Sequence, residues 1–173
     1  MPASRSRANG RANAPALEAA RLERIYDELP GSADDPEGGA LAMASTLILR
    51  SARVITARVD EVIAPLGLSV PKFEVLALLV TAPNGEMSFA DLKRAMYMHP
   101  ATMGHTMRLL EADGLVKRRP HDVDRRAYVA ILTAKGKTVT RKGLDALHQI
   151  RFGLEGLTPA TARVVSGKLA DFG

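Results

Sequence analysis

Residues 98–133 read MHPATMGHTMRLLEADGLVKRRPHDVDRRAYVAILT, and the order of elements within them decides the fold. Pro100 fits the first turn of a helix, where a missing N–H and a fixed φ cost nothing. Gly114 suits its end. Between them Met103, Met107 and Leu110 fall on one face, while Ala101, Thr102, His105 and Arg108 fall on the other, with Gly104 between. Residues 115–119 and 126–132 then read as antiparallel strands joined by a loop at 120–125, whose basic tip is Asp124-Arg125-Arg126. A helix whose first residues are small or polar lets the backbone approach base edges closely. Pro100, Ala101, Thr102 and Gly104 meet that need, and His105 and Arg108 lie one and two turns deeper, where they reach bases or phosphates.

Working upstream, Ser88-Phe-Ala-Asp91 reads as a capping box opening a short helix, with Leu92, Ala95 and Met96 facing inward. The turn Tyr97-Met98 joins it to the helix at 100–113. The pair is a helix-turn-helix, and the following hairpin makes it winged. Before it, Pro71 opens a helix with Phe73, Val75, Leu76, Leu78 and Leu79 mostly buried, and Pro83-Asn84-Gly85 is a turn. A long helix spans 40–64, with Ile48, Ala52, Ile55, Val59 and Val62 as one apolar seam widened by Leu47, Leu49, Val54 and Ile63. Two apolar faces on one helix ask for packing on its own domain and on something else.

Further out, a short helix is expected at 15–29 and a linker at 32–39, rich in Asp, Pro and Gly. Arg5, Arg7 and Arg11 sit in an acid-free tail at 1–14, expected to be disordered, either solvated or a DNA-contacting arm. Downstream, Thr133 caps a helix to about residue 155 with Leu144, Leu147, Ile150 and Leu154 as its stripe, although Gly143 and Gly153 argue against its regularity. Thr158-Pro159 starts a last helix with Val164, Val165 and Leu169 inward.

The 173 residues fit one compact unit with appendages. Four Phe, three Tyr and no Trp argue against a stacking platform for single strands. Without cysteine there is no disulfide, thiol sensor or zinc ribbon. The four His, at 99, 105, 121 and 148, share no ligand spacing, so neither a metal nor any other cofactor is expected. No apolar run approaches the roughly 18–20 residues of a membrane span and residues 1–14 lack a signal-peptide core, so a cytoplasmic protein with no membrane partner is expected. No nucleophile–base set, phosphate loop or carboxylate pair stands out, which speaks against an enzyme. Net charge is +5. Between Lys93 and Arg126 eight basic residues (93, 94, 108, 117, 118, 119, 125, 126) face four acids (111, 113, 122, 124), so +4 of the excess sits in the winged segment. Lys93, Arg94 and Lys117 are natural phosphate contacts on double-stranded DNA, with affinity that falls steeply with salt.

Leu109-Leu-Glu-Ala-Asp-Gly-Leu-Val116, Arg118-Arg-Pro120 and Asp124-Arg-Arg126 running to Leu132-Thr133 closely resemble the winged segment of the multiple antibiotic resistance regulator (MarR) family. The resemblance extends upstream through Leu66-Gly-Leu68, Phe73-Glu-Val-Leu76 and Met87-Ser88 to Leu92, and covers about residues 45–170. It implies a mainly α fold with a small β-hairpin wing, a winged helix-turn-helix in an intertwined helical homodimer that reads a pseudo-palindrome. By this resemblance the dimerisation elements are residues 40–65 and 134–173, flanking a DNA-binding lobe at 66–133 and preceded by an extension and linker at 15–39. Asp124 and Arg126 would brace the wing, with Arg125 or Arg126 entering a minor groove, favourably an A·T-rich one. The resemblance also implies a repressor released by a small anionic or phenolic effector. Arg50 and Arg53 could hold its carboxylate, or simply face solvent. The segment 15–29 resembles the extension of the urate-responsive branch, but that branch uses a tryptophan absent here.

The chain departs from the family pattern at His99, where Ser or Asp is usual, at Gly104-His105, which replaces a Ser-Arg pair, and at Ala130, where valine is usual. The first three alter which bases are read. Met96, Met98, Met103 and Met107 cluster about the turn and read as adaptable core filling. The rival from another class is a winged-helix protein-interaction module that does not read DNA.

Overall fold

The computed structural model describes residues 36–121 and 127–171, together with Arg21, Arg24, Ile25 and Glu28. The basic tail, most of the helix expected at 15–29, and the wing tip with Asp124, Arg125 and Arg126 lie outside the described residues. The chain forms two compact units, residues 1–53 and 54–173. In the first, Arg21, Arg24 and Ile25 are helical. Helix α1, Pro36–Ile63, starts in the first unit and ends in the second.

That helix begins four residues before the expected 40, inside the expected linker. Pro36 suits a helix start and Glu37 favours the positive end of the dipole, which offsets the poor helix propensity of Gly38 and Gly39. The expectation that nothing approaches membrane-spanning length is also corrected. A helix over Glu37–Leu66 contains an 18-residue window of mean hydropathy 1.3, none of it buried within the chain. Small alanines and the run Thr46-Leu-Ile-Leu49 raise the average, so apolarity accumulates without an unbroken apolar run.

In the second unit, a 3-10 turn at Ala64–Leu66 closes α1, and Gly67 adopts the left-handed φ of 74° that favours glycine. Helix α2 (Val70–Thr81) follows, opened by the Val70 N–H donating to Asp60 Oδ1 at 3.0 Å. It buries Phe73, Val75, Leu76 and Leu79. Strand β1 (Glu86–Ser88) leads into α3 (Phe89–Met96), and then come α4 (Pro100–Ala112), β2 (Val116–Pro120), β3 (Tyr128–Leu132), α5 (Ala134–Gln149) and α6 (Pro159–Ala170).

The hairpin expected from the sequence is present, but it is the outer part of a three-stranded antiparallel sheet ordered β1-β3-β2. Met87 pairs with Ala130 on one side of β3, and Arg118 pairs with Ala130 on the other. Ala130 is fully buried at the centre of this sheet. Around it Ile63, Leu76, Leu79, Leu92, Met103, Met107, Leu110, Val116 and Leu147 form one apolar cluster. Burying such side chains is worth about 1.5–3 kcal/mol each, so this cluster holds the helix-turn-helix and the wing base as one body.

Helix α5 ends at Gln149, not near 155. Arg151, Phe152 and Gly153 follow with φ of 47°, 55° and 75°, a left-handed run no helix accommodates. The Gly153 carbonyl accepts from Arg58 Nη1 at 2.9 Å, and the same nitrogen pairs with Glu155 at 2.8 Å. Gly143, by contrast, lies inside α5, where an added Cβ would come 2.7 Å from the Phe73 ring. The glycine that weakens the helix locally is what lets α5 approach α2.

Candidate nucleic-acid interface

The site is built from α3, the turn after it, α4 and the base of the hairpin. Ser88 caps α3: its Oγ accepts the Asp91 N–H at 3.1 Å and donates to the Asp91 carboxylate at 2.6 Å. Leu92 anchors α3 in the core, leaving Lys93 and Arg94 exposed in the last turn. Ala95, expected inward, is exposed. Leu92 and Met96 already cover the buried side of an eight-residue helix, and a methyl group adds little reason to turn it further. Tyr97 then takes a left-handed φ of 46°, reversing the chain towards α4.

His99, the departure at the helix start, does the work of the usual capping residue. Its Nδ1 accepts the Ala101 N–H at 3.3 Å, while Pro100 has no N–H to satisfy. Accepting there places the ring proton on Nε2. In α4 Met103, Met107 and Leu110 face the core as expected, joined by Thr106, and Ala101, Thr102, His105 and Arg108 are exposed. Gly104 is half-buried, with nothing within 4 Å of where a Cβ would stand. Arg108 Nη2 lies 3.4 Å from His105 Nδ1, so the imidazole can steady the guanidinium. This surface offers a shallow step of small residues, then donors one turn deeper.

The helix ends as Gly114 turns left-handed at φ 68° and the Leu115 N–H reaches the Leu110 carbonyl at 2.9 Å. Thr133 Oγ1 donates to the Gly114 carbonyl at 2.9 Å and accepts the Gly136 N–H at 2.9 Å, so one hydroxyl closes α4 and starts α5.

Not every cation in the basic segment points outward. Arg118 pairs with Glu111 at 2.5 Å, and its guanidinium lies 4.3 Å above the Tyr128 ring. Tyr128 packs against Phe89 with ring centroids 4.6 Å apart. Burial raises the Tyr128 pKa above its usual value; Arg118 lowers it in part and Glu111 adds to it. Arg119 pairs with Glu86 of β1 at 2.9 Å, and Lys72 with Asp113 at 2.8 Å. These cations tie the wing base to α4 and β1, and α2 to the end of α4. Arg94 keeps a loose pairing with Asp91 at 3.3 Å. Lys93 and Lys117 are exposed and form no ion pair with a described residue.

The structure thus brings Lys93, Arg94, Pro100, Ala101, Thr102, Gly104, His105, Arg108 and Lys117 onto one folded unit. Sequence reasoning missed the structural roles of Arg118 and Arg119. Arg118 reaches back seven positions to Glu111 of α4, and Arg119 reaches back 33 positions to Glu86 of β1, a strand the sequence did not reveal. Arg50 and Arg53 are exposed on α1. An open cavity of about 430 Å³ lies at the α2–β1 turn and the start of α5, lined by Val80, Asn84, Leu132, Thr133 and Lys137 among others, and by neither of those arginines.

The sequence signature of the MarR family matches residues 66–127. The HTH-type transcriptional repressor Rv2887 of Mycobacterium tuberculosis is 32% identical over 112 residues, covering 65% of this chain and 75% of that one. Among solved structures, the MarR family transcriptional regulator Sco5413 of Streptomyces coelicolor superposes with a TM-score of 0.70 at 26% identity, over 77% of this chain and 92% of its own. Bordetella bronchiseptica BpsR, whose DNA binding is regulated by 6-hydroxynicotinic acid, gives a TM-score of 0.66 at 24% identity, over 75% and 97%. With the winged helix-turn-helix and these relatives together, the chain belongs to the MarR family of transcriptional regulators.

Proposed function

We propose that this regulator is a homodimeric repressor that reads a pseudo-palindromic duplex through α4 and its wing. The observation that carries this reading is the outer face of α4: small residues at its start, then His105 and Arg108 as donors, flanked by the exposed Lys93 and Lys117. Small residues admit the helix to a major groove, the donors suit base edges and phosphates, and the lysines suit the sugar–phosphate backbone. By the family resemblance Arg125 and Arg126 would extend the same reading to the wing tip, where Asp124 would brace Arg126. The exposed apolar residues of α1 support a second copy as partner. The repressor name of the mycobacterial relative supports repression, and the regulation of BpsR by an aromatic carboxylate supports release by a small anionic effector, with Arg50 and Arg53 as candidate carboxylate partners.

The test is a footprint of the purified protein on the DNA flanking its own coding region, repeated with 6-hydroxynicotinic acid and related carboxylates. A palindromic footprint that fades with ligand is expected, and no protection in dilute salt would overturn the reading. Arg126→Ala is expected to abolish retardation of that duplex while circular dichroism stays native. Unchanged affinity would remove the wing from the interface.

A further inference from the structure

We propose that His99 is a DNA-binding residue: the nitrogen that caps α4 commits the ring proton to Nε2, and that neutral N–H donates to a backbone phosphate at the edge of the groove. The inference rests on the DNA-reading assignment above. It gives His99 a phosphate contact, where its departure from the family pattern suggested a change in the bases read.

The cap sets the donor. Nδ1 accepts the Ala101 N–H at 3.3 Å, so it holds no proton in the capped state, and the neutral imidazole carries its hydrogen on Nε2. The His99 carbonyl accepts the Met103 N–H at 3.0 Å, which ties the same residue to the first turn of α4 by its backbone. The donor is therefore fixed in tautomer and in place before a duplex arrives. The side chain is exposed, and no described residue takes a hydrogen bond from Nε2.

Capping alone does not call for histidine. Serine, aspartate and asparagine are the preferred residues there, because a short side chain brings its oxygen to the same N–H. What the ring adds is reach: its acceptor stays on the helix while its donor stands across the ring. Placement supplies the partner. In a helix-turn-helix the first helix crosses the sugar–phosphate backbone while the second enters the groove by its N-terminal residues. His99 lies between them, after the exposed Lys93 and Arg94 and before Ala101 and Thr102, the small residues that suit entry. A residue there passes the rim of the groove, where phosphate oxygens are the acceptors. A neutral N–H adds a directed hydrogen bond without releasing a counterion.

The test uses full-length protein and a duplex selected by it from random sequence. His99→Ser keeps a capping oxygen and removes the ring. It is expected to hold the wild-type melting temperature and to weaken binding about fivefold, with the salt dependence of affinity and the selected bases unchanged. His99→Ala removes the cap too, and is expected to melt lower and bind more weakly still. Replacing phosphates one at a time by methylphosphonate should reveal a position where wild type loses about fivefold more affinity than His99→Ser. Wild-type affinity in His99→Ser would overturn the proposal, since the ring would then serve only as a cap. A change in the selected bases would overturn the phosphate as acceptor, and a salt slope lower by about one unit would overturn the neutral donor. Failure of the wild-type protein to select any duplex would instead sink the DNA-reading assignment, and this proposal with it.

Discussion

An alanine at Gly136 would bring its Cβ 2.2 Å from the Leu115 carbonyl oxygen and 2.8 Å from Leu132 Cδ1. The first neighbour is backbone in the turn between α4 and β2 and cannot swing aside. Gly136→Ala is therefore expected to cost about 3 kcal/mol, as overpacking does, read as a fall in the urea midpoint. Gly104, inside α4, has open space where a Cβ would go, so Gly104→Ala is expected to stabilise by about 1 kcal/mol. The same methyl group would stand where a duplex is proposed to approach, and operator affinity should fall as stability rises. Affinity and stability rising together would place the duplex elsewhere. Glu74 gives a third residue-scale outcome. Its side chain reaches solvent, yet atoms packed around the carboxylate strip enough water to raise its pKa by desolvation. A raised folded-state pKa means that its contribution is fully present below the unfolded value and is lost as pH rises through the folded one. Glu74→Gln should thus be more stable than wild type at pH 7 and equal to it at pH 3. The gain is small, because solvent screens an exposed group.

The wing base is tied to α4 and β1 by ionic and aromatic contacts: Glu111 to Arg118, Arg118 over Tyr128, and Arg119 to Glu86. The ion pairs are partly exposed and contribute modestly, and the cation–π contact adds a similar amount. Arg118→Ala is expected to lower stability by about 1 kcal/mol and to leave the salt slope of DNA binding unchanged. Lys117→Ala should do the reverse, reducing that slope by about one unit with stability intact. Equal slopes in the two variants would mean that the outward and inward cations are misassigned. The neighbouring elements show what a sequence makes legible. Helix α4 could be read because proline, a strict apolar face and glycine mark its start, side and end. Strand β1 could not, because three half-buried residues carry no alternation to read. The end of α5 was hidden for a different reason: Arg151 and Phe152, neither a usual helix breaker, take the left-handed turn, and the carbonyl of Gly153 after them is held by Arg58, far away in sequence. Among the site residues the outward face of α4 was readable from its spacing. The inward use of Arg118 and Arg119 was not, since charge alone does not say which way a side chain points.

At the scale of the whole molecule the unanswered surface is apolar. On α1, Leu41 is 71% and Leu49 57% exposed, with Ile48 and Val54 also open, and on α6 Val164 is 65% exposed beside Val165 and Leu169. The expectation that α6 turns these three valine and leucine side chains inward does not hold within one chain. Each such side chain recovers about 1.5–3 kcal/mol on full burial, and a second copy would provide that burial for both helices. The same α1 residues satisfy the length and composition of a membrane span, but Arg50 and Arg53 stand among them, and each costs about 3 kcal/mol at a bilayer centre. A partner helix does not require either side chain to enter a bilayer. Sedimentation equilibrium is therefore expected to give twice the 18.5 kDa chain mass at micromolar concentration. Leu49→Glu should weaken association at least tenfold, because a carboxylate buried without a partner costs more than the leucine contributed. Operator affinity should fall with it, since a lone winged helix reads one half of the site. A wild-type chain that sediments at its own mass, or a Leu49→Glu chain that stays paired, would move the partner surface off α1.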